Sequence, residues 1–537
     1  LLQFGVAAND RARWWASDIS QVYFLAVVTT ILFVAHPIHT EAVANIKGRD
    51  EIVTLLGSLA AIYLSFKAFY SRRPLLHLAV GTIFFLALLS KENAITFLAV
   101  APLSYYIFTQ AKLPKIIFQT IPFILGAVLF LILRSSIVPL ELGGEPTLEL
   151  MNNPFVKVEN GQYTHFTSGE KWATIFYTLG HYLQLLVFPH PLTHDYYPRH
   201  IDIVGFAHPK VLLSMLVYAA LAVYAVVGLL RKDILSYGIL FYLATLSIAS
   251  NIVFPIGTTM SERFAFMPSI GYCWVVAVLL QRWGRSRVQQ GKKNDWAAMR
   301  LPLLLVGAMT LLFSIKTISR NTVWKNNYTL FTTDVHTSVN SAKLRNAAAG
   351  ETINAATNEA NKSRQQQMYR EAEEHLQMAI RIHPNYKNAY LQLGNVNNYL
   401  NQYEAAIEYY NTALQIDPNY QDAINNIGIT YRDAGRYYGE EKQDLNNALK
   451  YLQLAYQYRP KEYETLRLLG IAHAIKGDTQ RAISFFQQAV DLQPQNADAL
   501  YNLGSAYYNA GNAAQGQVIH ERALQIDPEV IERNQKR

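Results

Sequence analysis

Hydrophobic positions form long unbroken runs up to about residue 320 and short periodic clusters beyond it. The long runs occupy about 20–35, 52–69, 75–89, 94–110, 116–137, 211–230, 234–254, 265–281 and 301–318. A hydrocarbon core of about 30 Å is crossed by roughly 20 helical residues, so each run is a candidate span. Any single run also fits a buried soluble helix. Nine of them, separated by short polar loops, predict a polytopic helical membrane domain over 1–320. A tenth stretch, 172–189, contains His181 and Gln184 and ends at Pro189. Its polar content predicts a re-entrant or interfacial helix rather than a full crossing.

Beyond 320 the chain turns polar, and a repeat emerges. Pro384, Pro418, Pro460, Pro494 and Pro528 are spaced by 34, 42, 34 and 34 residues. A 34-residue period is the tetratricopeptide length, one helical hairpin per unit. The unit from Lys387 sets Tyr390, Leu393, Gly394, Ala406, Tyr410, Ala413 and Pro418 at the signature offsets. The unit from Tyr463 repeats this with Leu466, Leu469, Gly470, Ala482, Phe486, Ala489 and Pro494. Small residues let the two helices approach, and large ones fill the seam between units. The unit from Gln421 matches once an insertion near Tyr438–Gln443 is allowed, and the first unit carries a polar insertion around 353–364. The expected fold is therefore all-α: a multi-span membrane domain followed by a solenoid of about five repeats over 321–537. Such a solenoid offers a concave face to an extended peptide.

Charge refines this picture. Arg11 and Arg13, Arg72 and Arg73, Lys112 and Lys115, Arg231 and Lys232, and the run Arg282, Arg285, Arg287, Lys292, Lys293 mark cytoplasmic loops. Segments 36–50, 90–93, 138–210 and 255–264 then face outward, as does everything after the last span. The outer compartment reads as a periplasm or the lumen of the endoplasmic reticulum. The net charge of +8 belongs largely to the cytoplasmic loops and gives no support for nucleic-acid binding. A mean hydropathy of +0.06 averages two unlike halves, and one cysteine excludes a disulfide scaffold. The opening Leu1–Ala8 run precedes Arg11 and Arg13, the reverse of a signal peptide. It reads as the tail of an earlier span in an N-terminally truncated chain.

Candidate chemistry lies on the outward segments. The richest is HPIHTEAVANIKGRDE, 36–51, at the end of one span and the start of the next. So many ionisable groups at a membrane face are costly unless they meet water, a polar ligand or each other. Snorkelling accounts for Lys47 and Arg49, but not for Glu41 set beside His36, His39 and a span. Those three are metal-ligand types, but their spacing matches no recognised frame, and no metal is expected. Ser90-Lys91-Glu92-Asn93, Ser261-Glu262-Arg263 and His194-Asp195-Tyr196-Tyr197 lie on the same side. Four clusters on one face predict a polar cavity at the membrane surface.

HPIHTEAVANIKGRDE, SKENA at 90–94, LTHDYY at 192–197 and SERFAFMPSIG at 261–271 come in this order before the repeats. Trp324, Leu330, Phe331, Asn340 and Lys343 follow at the junction. Together they resemble the transmembrane and tetratricopeptide-repeat O-mannosyltransferases, including bacterial relatives. The resemblance implies a GT-C type membrane fold and a lipid-phosphate-linked sugar donor, with no other cofactor. It also implies transfer of a sugar, mannose in that family, to Ser or Thr hydroxyls of proteins outside the cytoplasm. That family places an acidic motif in an external loop ahead of HPIHTE, so the catalytic carboxylate is expected to precede this sequence.

Transfer to a hydroxyl needs a proton acceptor and cations for the phosphate leaving group. Glu41 or Asp50 suits the base and Asp195 the sugar or acceptor site. Lys47, Arg49, Lys91 and Arg263 suit the phosphate, with His36, His39, Glu92 and Glu262 in support. The expected partners are a lipid-linked sugar in the membrane and an acceptor protein at the repeats. The alternative is a non-enzymatic membrane-anchored scaffold. Nine spans exceed what an anchor needs. Transport ranks last, because the membrane half shows no paired broken helices.

Overall fold

The computed structural model describes residues 19–71, 73–137, 147–289 and 295–535. The expectations on Leu1–Arg13, Arg72, Lys292 and Lys293 fall outside the described residues. The chain divides into two compact units, one ending at Leu344 and the other starting at Arg345. Residues 321–344, grouped with the repeats on sequence grounds, pack with the first unit.

In the first unit, α1 (Ile19–Ala35) is broken at His36 and Pro37 and bends by 54° into a turn and the short α2 (Thr40–Ala44). Then come α3 (Arg49–Ser71), α4 (Pro74–Ser90), α5 (Phe97–Phe108) and α6 (Leu113–Ile137). A small antiparallel hairpin, β1 (Val156–Glu159) and β2 (Gln162–His165), pairs Val156 with His165 and Glu159 with Gln162. It is the one departure from an all-helical fold among the described residues. After it come α7 (Ser168–Val187), α8 (Pro209–Leu230), α9 (Ile234–Leu246), α10 (Ser269–Gln289), α11 (Asp295–Val323) and α12 (Asn327–Asp334).

Four helices among the described residues are long and apolar enough to cross a membrane: Ile46–Ser71, Leu113–Ile137, Pro209–Leu230 and Ala297–Val323. A fifth is added if the bent pair Gln21–Ala35 and Pro37–Ala44 counts as one span. The chain is accordingly read as an integral membrane protein. Of the nine runs read as spans from hydropathy, four or five give helices of this length and composition among the described residues. The others give shorter or more charged helices. The run 94–110 supplies only the 12-residue α5, about 18 Å at 1.5 Å per residue. The run 234–254 ends its helix at Leu246, and the chain then turns through Asn251 at a left-handed φ of 61°. Helix α4 has 17 residues, and α10 runs on into Arg282, Arg285 and Arg287.

Packing in this unit uses small residues at helix crossings, as expected where lipid removes the hydrophobic drive. At Gly126 of α6, an added Cβ would lie 2.9 Å from the Gly81 carbonyl of α4, so the two backbones touch. The basic turns gather at one end of the bundle. Lys115 Nζ sits 3.9 Å over the Phe69 ring and Lys232 Nζ 4.7 Å over Tyr106, while Arg282 bonds Asp233. Residues 36–51, 90–93 and 261–265 occupy the opposite end.

The second unit is a series of helical hairpins. α13 (Ala342–Thr357) leads into it and α14 (Lys362–Ile382) follows. Four close pairs then run α15 (Lys387–Tyr399) with α16 (Tyr403–Ile416), α17 (Gln421–Glu440) with α18 (Leu445–Tyr458), α19 (Tyr463–Ile475) with α20 (Thr479–Leu492), and α21 (Ala497–Asn509) with α22 (Ala513–Ile526). A last turn of helix, α23 (Val530–Gln535), covers the end. The signature glycine has its expected role: a Cβ at Gly470 would sit 2.5 Å from the Phe486 ring. The insertion near Tyr438–Gln443 makes no separate loop. It extends α17 to 20 residues, against 13 in α15 and α19.

Candidate functional site

The break after α1 builds the floor of the site. His36 Nε2 donates to the Leu186 carbonyl at 2.9 Å, and His39 Nε2 donates to Ser269 Oγ at 2.8 Å. The two histidines thus pin the HPIHTE turn to the end of α7 and the start of α10. Glu41 follows on the first turn of α2, only 2% exposed. Both of its oxygens accept from Ser261 Oγ at 3.0 Å, one accepts the Arg263 N–H at 3.0 Å, and Arg263 Nη1 lies 3.4 Å away. Ser261 N–H in turn donates to Tyr182 Oη of α7. A carboxylate engaged this fully holds the 261–263 turn and aims Arg263.

Glu262, next along that turn, points the opposite way. Its Oε1 accepts the Thr193 N–H at 2.6 Å and the Tyr196 hydroxyl at 2.9 Å, while Oε2 has no partner among the described residues. Burial raises this carboxyl to about 8 against the pull of Arg320, and neighbouring Glu41 adds to the rise. At neutral pH it is mainly the uncharged acid.

A second cluster adjoins the first. Lys91, at the C-terminus of α4, bridges Glu51 Oε1 at 2.7 Å and Asp50 Oδ2 at 3.2 Å. The Ser90 hydroxyl donates to the Asp50 carbonyl. Lys91 is therefore already matched by two carboxylates, and Asp50 is half of that pairing. The Phe264 ring joins the clusters: Lys91 Nζ lies 5.9 Å from its centroid and Arg263 Cζ 5.4 Å. Glu92 lies at the edge, 3.1 Å from Arg134 of α6. Lys47 and Arg49 are exposed and form no ion pair among the described residues.

The third group carries a surprise. Asp195 is engaged by Ser338 and Ser341 and not by the Glu41 cluster. Its Oδ2 accepts from Ser341 Oγ at 2.5 Å and its carbonyl accepts from Ser338 Oγ at 2.7 Å. The neighbouring His194 is held by a different carboxylate. Its backbone N–H and Nδ1 both reach Asp334 Oδ2, at 2.8 and 2.9 Å. Arg320 grips the same carboxylate with both terminal nitrogens at 2.5 and 2.6 Å. Asp334 is 1% exposed; burial alone would push its carboxyl pKa up, but the hydrogen bonds from Arg320 and His194 outweigh that and hold it below the ordinary aspartate value.

The structure thus brings together Glu41, Arg263, Glu262, Lys91, Asp50, His36 and His39, turns Asp195 away, and leaves Lys47, Arg49 and Glu92 at the rim. No three His, Cys, Asp or Glu side chains among the described residues converge as metal ligands. Asp334, Arg320, Glu51 and Phe264 are absent from the sequence-based set. Glu51 lies inside the motif and was within reach. Asp334 sits in an ordinary YTLFTTD stretch 140 residues from its partner.

These features define a class: a helical membrane protein with a charged cluster at one bundle end, followed in the chain by a tetratricopeptide array. Tetratricopeptide repeat models match residues 388–420, 440–497 and 474–533. The chain is 26% identical over 433 residues to protein O-mannosyl-transferase Tmtc3 of Drosophila melanogaster, covering 72% of this chain and 44% of that protein. It is 25% identical over 411 residues to TMTC3 of Mus musculus (70% and 41%) and 28% over 420 residues to TMTC1 of Homo sapiens (69% and 43%). The chain therefore spans less than half the length of these curated relatives. Among solved structures, YrrB, described as a TPR protein with an unusual peptide-binding site, is 21% identical at a TM-score of 0.28, covering 37% of this chain and 94% of that one. The MamA protein is 18% identical at 0.25, covering 34% and 96%. The repeats rest on the family models, not on those scores.

Proposed function

We propose that this chain serves a glycosyltransferase that moves a sugar from a lipid phosphate to Ser or Thr hydroxyls. The observation that carries the reading is the convergence of Glu41, Arg263, Glu262, His194 and the Lys91 pairings at the bundle end opposite the basic turns. Curated relatives named protein O-mannosyl-transferases support the chemistry and make mannose the first sugar to test. Arg263, aimed by Glu41 and partly open to solvent, is the phosphate contact; guanidinium suits two phosphate oxygens at once. Lys47 and Arg49 at the rim add positive field where a lipid headgroup would arrive. The site faces the outer compartment, because the basic turns at the other end mark the cytoplasmic side. The repeats bind the acceptor protein or a partner.

The test is transfer of labelled mannose from a polyprenyl-phosphate donor to a Ser/Thr-rich peptide by the full-length protein in membranes. Glu41→Gln, Lys91→Met and Arg263→Met should each lower transfer strongly. Wild-type rates in all three would sink the assignment.

A further inference from the structure

We infer, from the membrane spans and independently of the transferase reading, that the cleft between α7 and α8 binds an anionic phospholipid. Its phosphate lies on Lys210 and Ser214, and an acyl chain follows the apolar wall below them.

The two helices touch at one point and part beside it. A Cβ at Gly180 of α7 would lie 2.9 Å from Ser214 Cβ of α8. Next to that contact is a cleft of about 390 Å³, within the size range of small-ligand pockets. Tyr177, His181 and Gln184 line it from α7, and Lys210 and Ser214, one turn apart, line it from α8. Leu213, Val217 and Val187 continue it as an apolar wall. The described lining holds one cation, Lys210, and no carboxylate. His181 adds no charge at neutral pH, because burial brings its ring down to about 4. Lys210 is steadied at the mouth, with Nζ 5.5 Å from the centroid of the Tyr177 ring.

Ser214 points to a ligand. It is 3% exposed, and its Oγ has no hydrogen-bond partner among the described residues. A serine or threonine within a helix can satisfy its hydroxyl on the carbonyl one turn back. Ser104 does so on Val100 at 2.7 Å and Thr120 on Ile116 at 2.9 Å, but Ser214 does not. A buried hydroxyl left unpaired is destabilising, and an acceptor oxygen in the cleft beside Lys210 would satisfy it. Snorkelling accounts for Lys210 alone, not for this hydroxyl.

Depth in the membrane selects the occupant. α8 is a span that ends at the basic turn of Arg231 and Lys232. At 1.5 Å per residue, Lys210 stands about 30 Å from that turn, one hydrocarbon thickness away. Its ammonium is thus at headgroup level, and Ser214 is about 6 Å deeper. Leu213 and Val187 are exposed beside the cleft, where lipid chains run. A molecule that suits both parts has a phosphate at one end and hydrocarbon at the other. A zwitterionic headgroup would bring an ammonium with no carboxylate to meet, so the lining favours an anionic one.

The cleft is separate from the charged cluster. On one face of α7, Tyr182 accepts the Ser261 N–H and Leu179, Leu185 and Leu186 are buried. Tyr177, Gly180, His181 and Gln184 occupy the opposite face. The helix body, about 10 Å across, stands between the two.

Native mass spectrometry of the full-length protein, released from nanodiscs holding phosphatidylcholine and phosphatidylglycerol in equal amounts, tests this. The protein should retain phosphatidylglycerol in preference to phosphatidylcholine. Lys210→Gln and Ser214→Val should each lower that retention by roughly tenfold, the loss of one hydrogen bond to a charged group. Lys210 is exposed, so its replacement leaves the fold intact. Phosphatidylglycerol should also raise the unfolding midpoint of the unaltered protein but not that of Lys210→Gln. Equal retention of the two lipids, or full retention by both variants, overturns the inference and makes the occupant ordinary bilayer. Displacement of the phosphatidylglycerol by inorganic phosphate would overturn it too, because the cleft would then be a site for a free anion.

Discussion

Glu262 is the residue whose state depends most visibly on pH. Its folded carboxyl titrates near 8, above the ordinary 4.5 of a free glutamate. A group raised in this way contributes stability that is complete below about 4.5 and is lost as pH climbs toward 8. Heat-unfolding midpoints of the protein in detergent should therefore fall between pH 5 and 9. Glu262→Gln, which keeps the neutral shape, should flatten that slope; an unaltered slope would show that another group titrates. Glu41 behaves differently. Glu41→Ala leaves the Ser261 hydroxyl and the Arg263 N–H facing a buried gap, and an unsatisfied buried donor costs about 1–3 kcal/mol, readable as a lower unfolding midpoint at neutral pH. The sequence made these residues visible because carboxylates beside a span need a reason. It could not show that Asp195 faces a serine, because a two-residue motif does not say which side chain turns inward.

At the level of elements, the helical hairpins are the part that sequence describes best. A period fixed by five prolines also fixes where each Gly and Ala must sit, and Gly470 against Phe486 is the outcome. Gly470→Leu should force these helices apart and destabilise by about 1–3 kcal/mol. Limited proteolysis of the full chain should then cut first within 463–492, and Phe486→Ala in the same chain should restore part of the resistance. Equal resistance of Gly470→Leu would mean the helices do not meet there. Membrane helices were less legible. Hydropathy sums over windows and cannot see a 3-10 turn before Phe97 or a left-handed Asn251, so runs that look like one span split into a short helix and a turn. The insertion near Tyr438 illustrates the converse. Its extra residues lengthen α17, where Tyr438 and Tyr451 stack and both donate to Glu404 at 2.9 Å.

For the molecule as a whole, the separation of charge between bundle ends is open to a direct topological test. The sole cysteine, Cys273, is buried within α10, so a new thiol can be read without removing it. Lys112→Cys and Lys47→Cys should be labelled by a membrane-impermeant maleimide from opposite sides of sealed vesicles. Labelling of both from one side would refute the arrangement. The resemblance carried by the sequence leaves the connection between the membrane unit and the repeats unspecified.

That connection has a mechanical side. Thr193, His194 and Asp195 are each hydrogen-bonded to the stretch from Asp334 to Ser341, the last residues before the chain passes into the repeats at Arg345. Ser341 stands four residues before Arg345, and Asp334 eleven residues before it. The stretch that leads out of the membrane unit is thus tied down by side-chain hydrogen bonds from Asp334, Ser338 and Ser341 before the repeats begin.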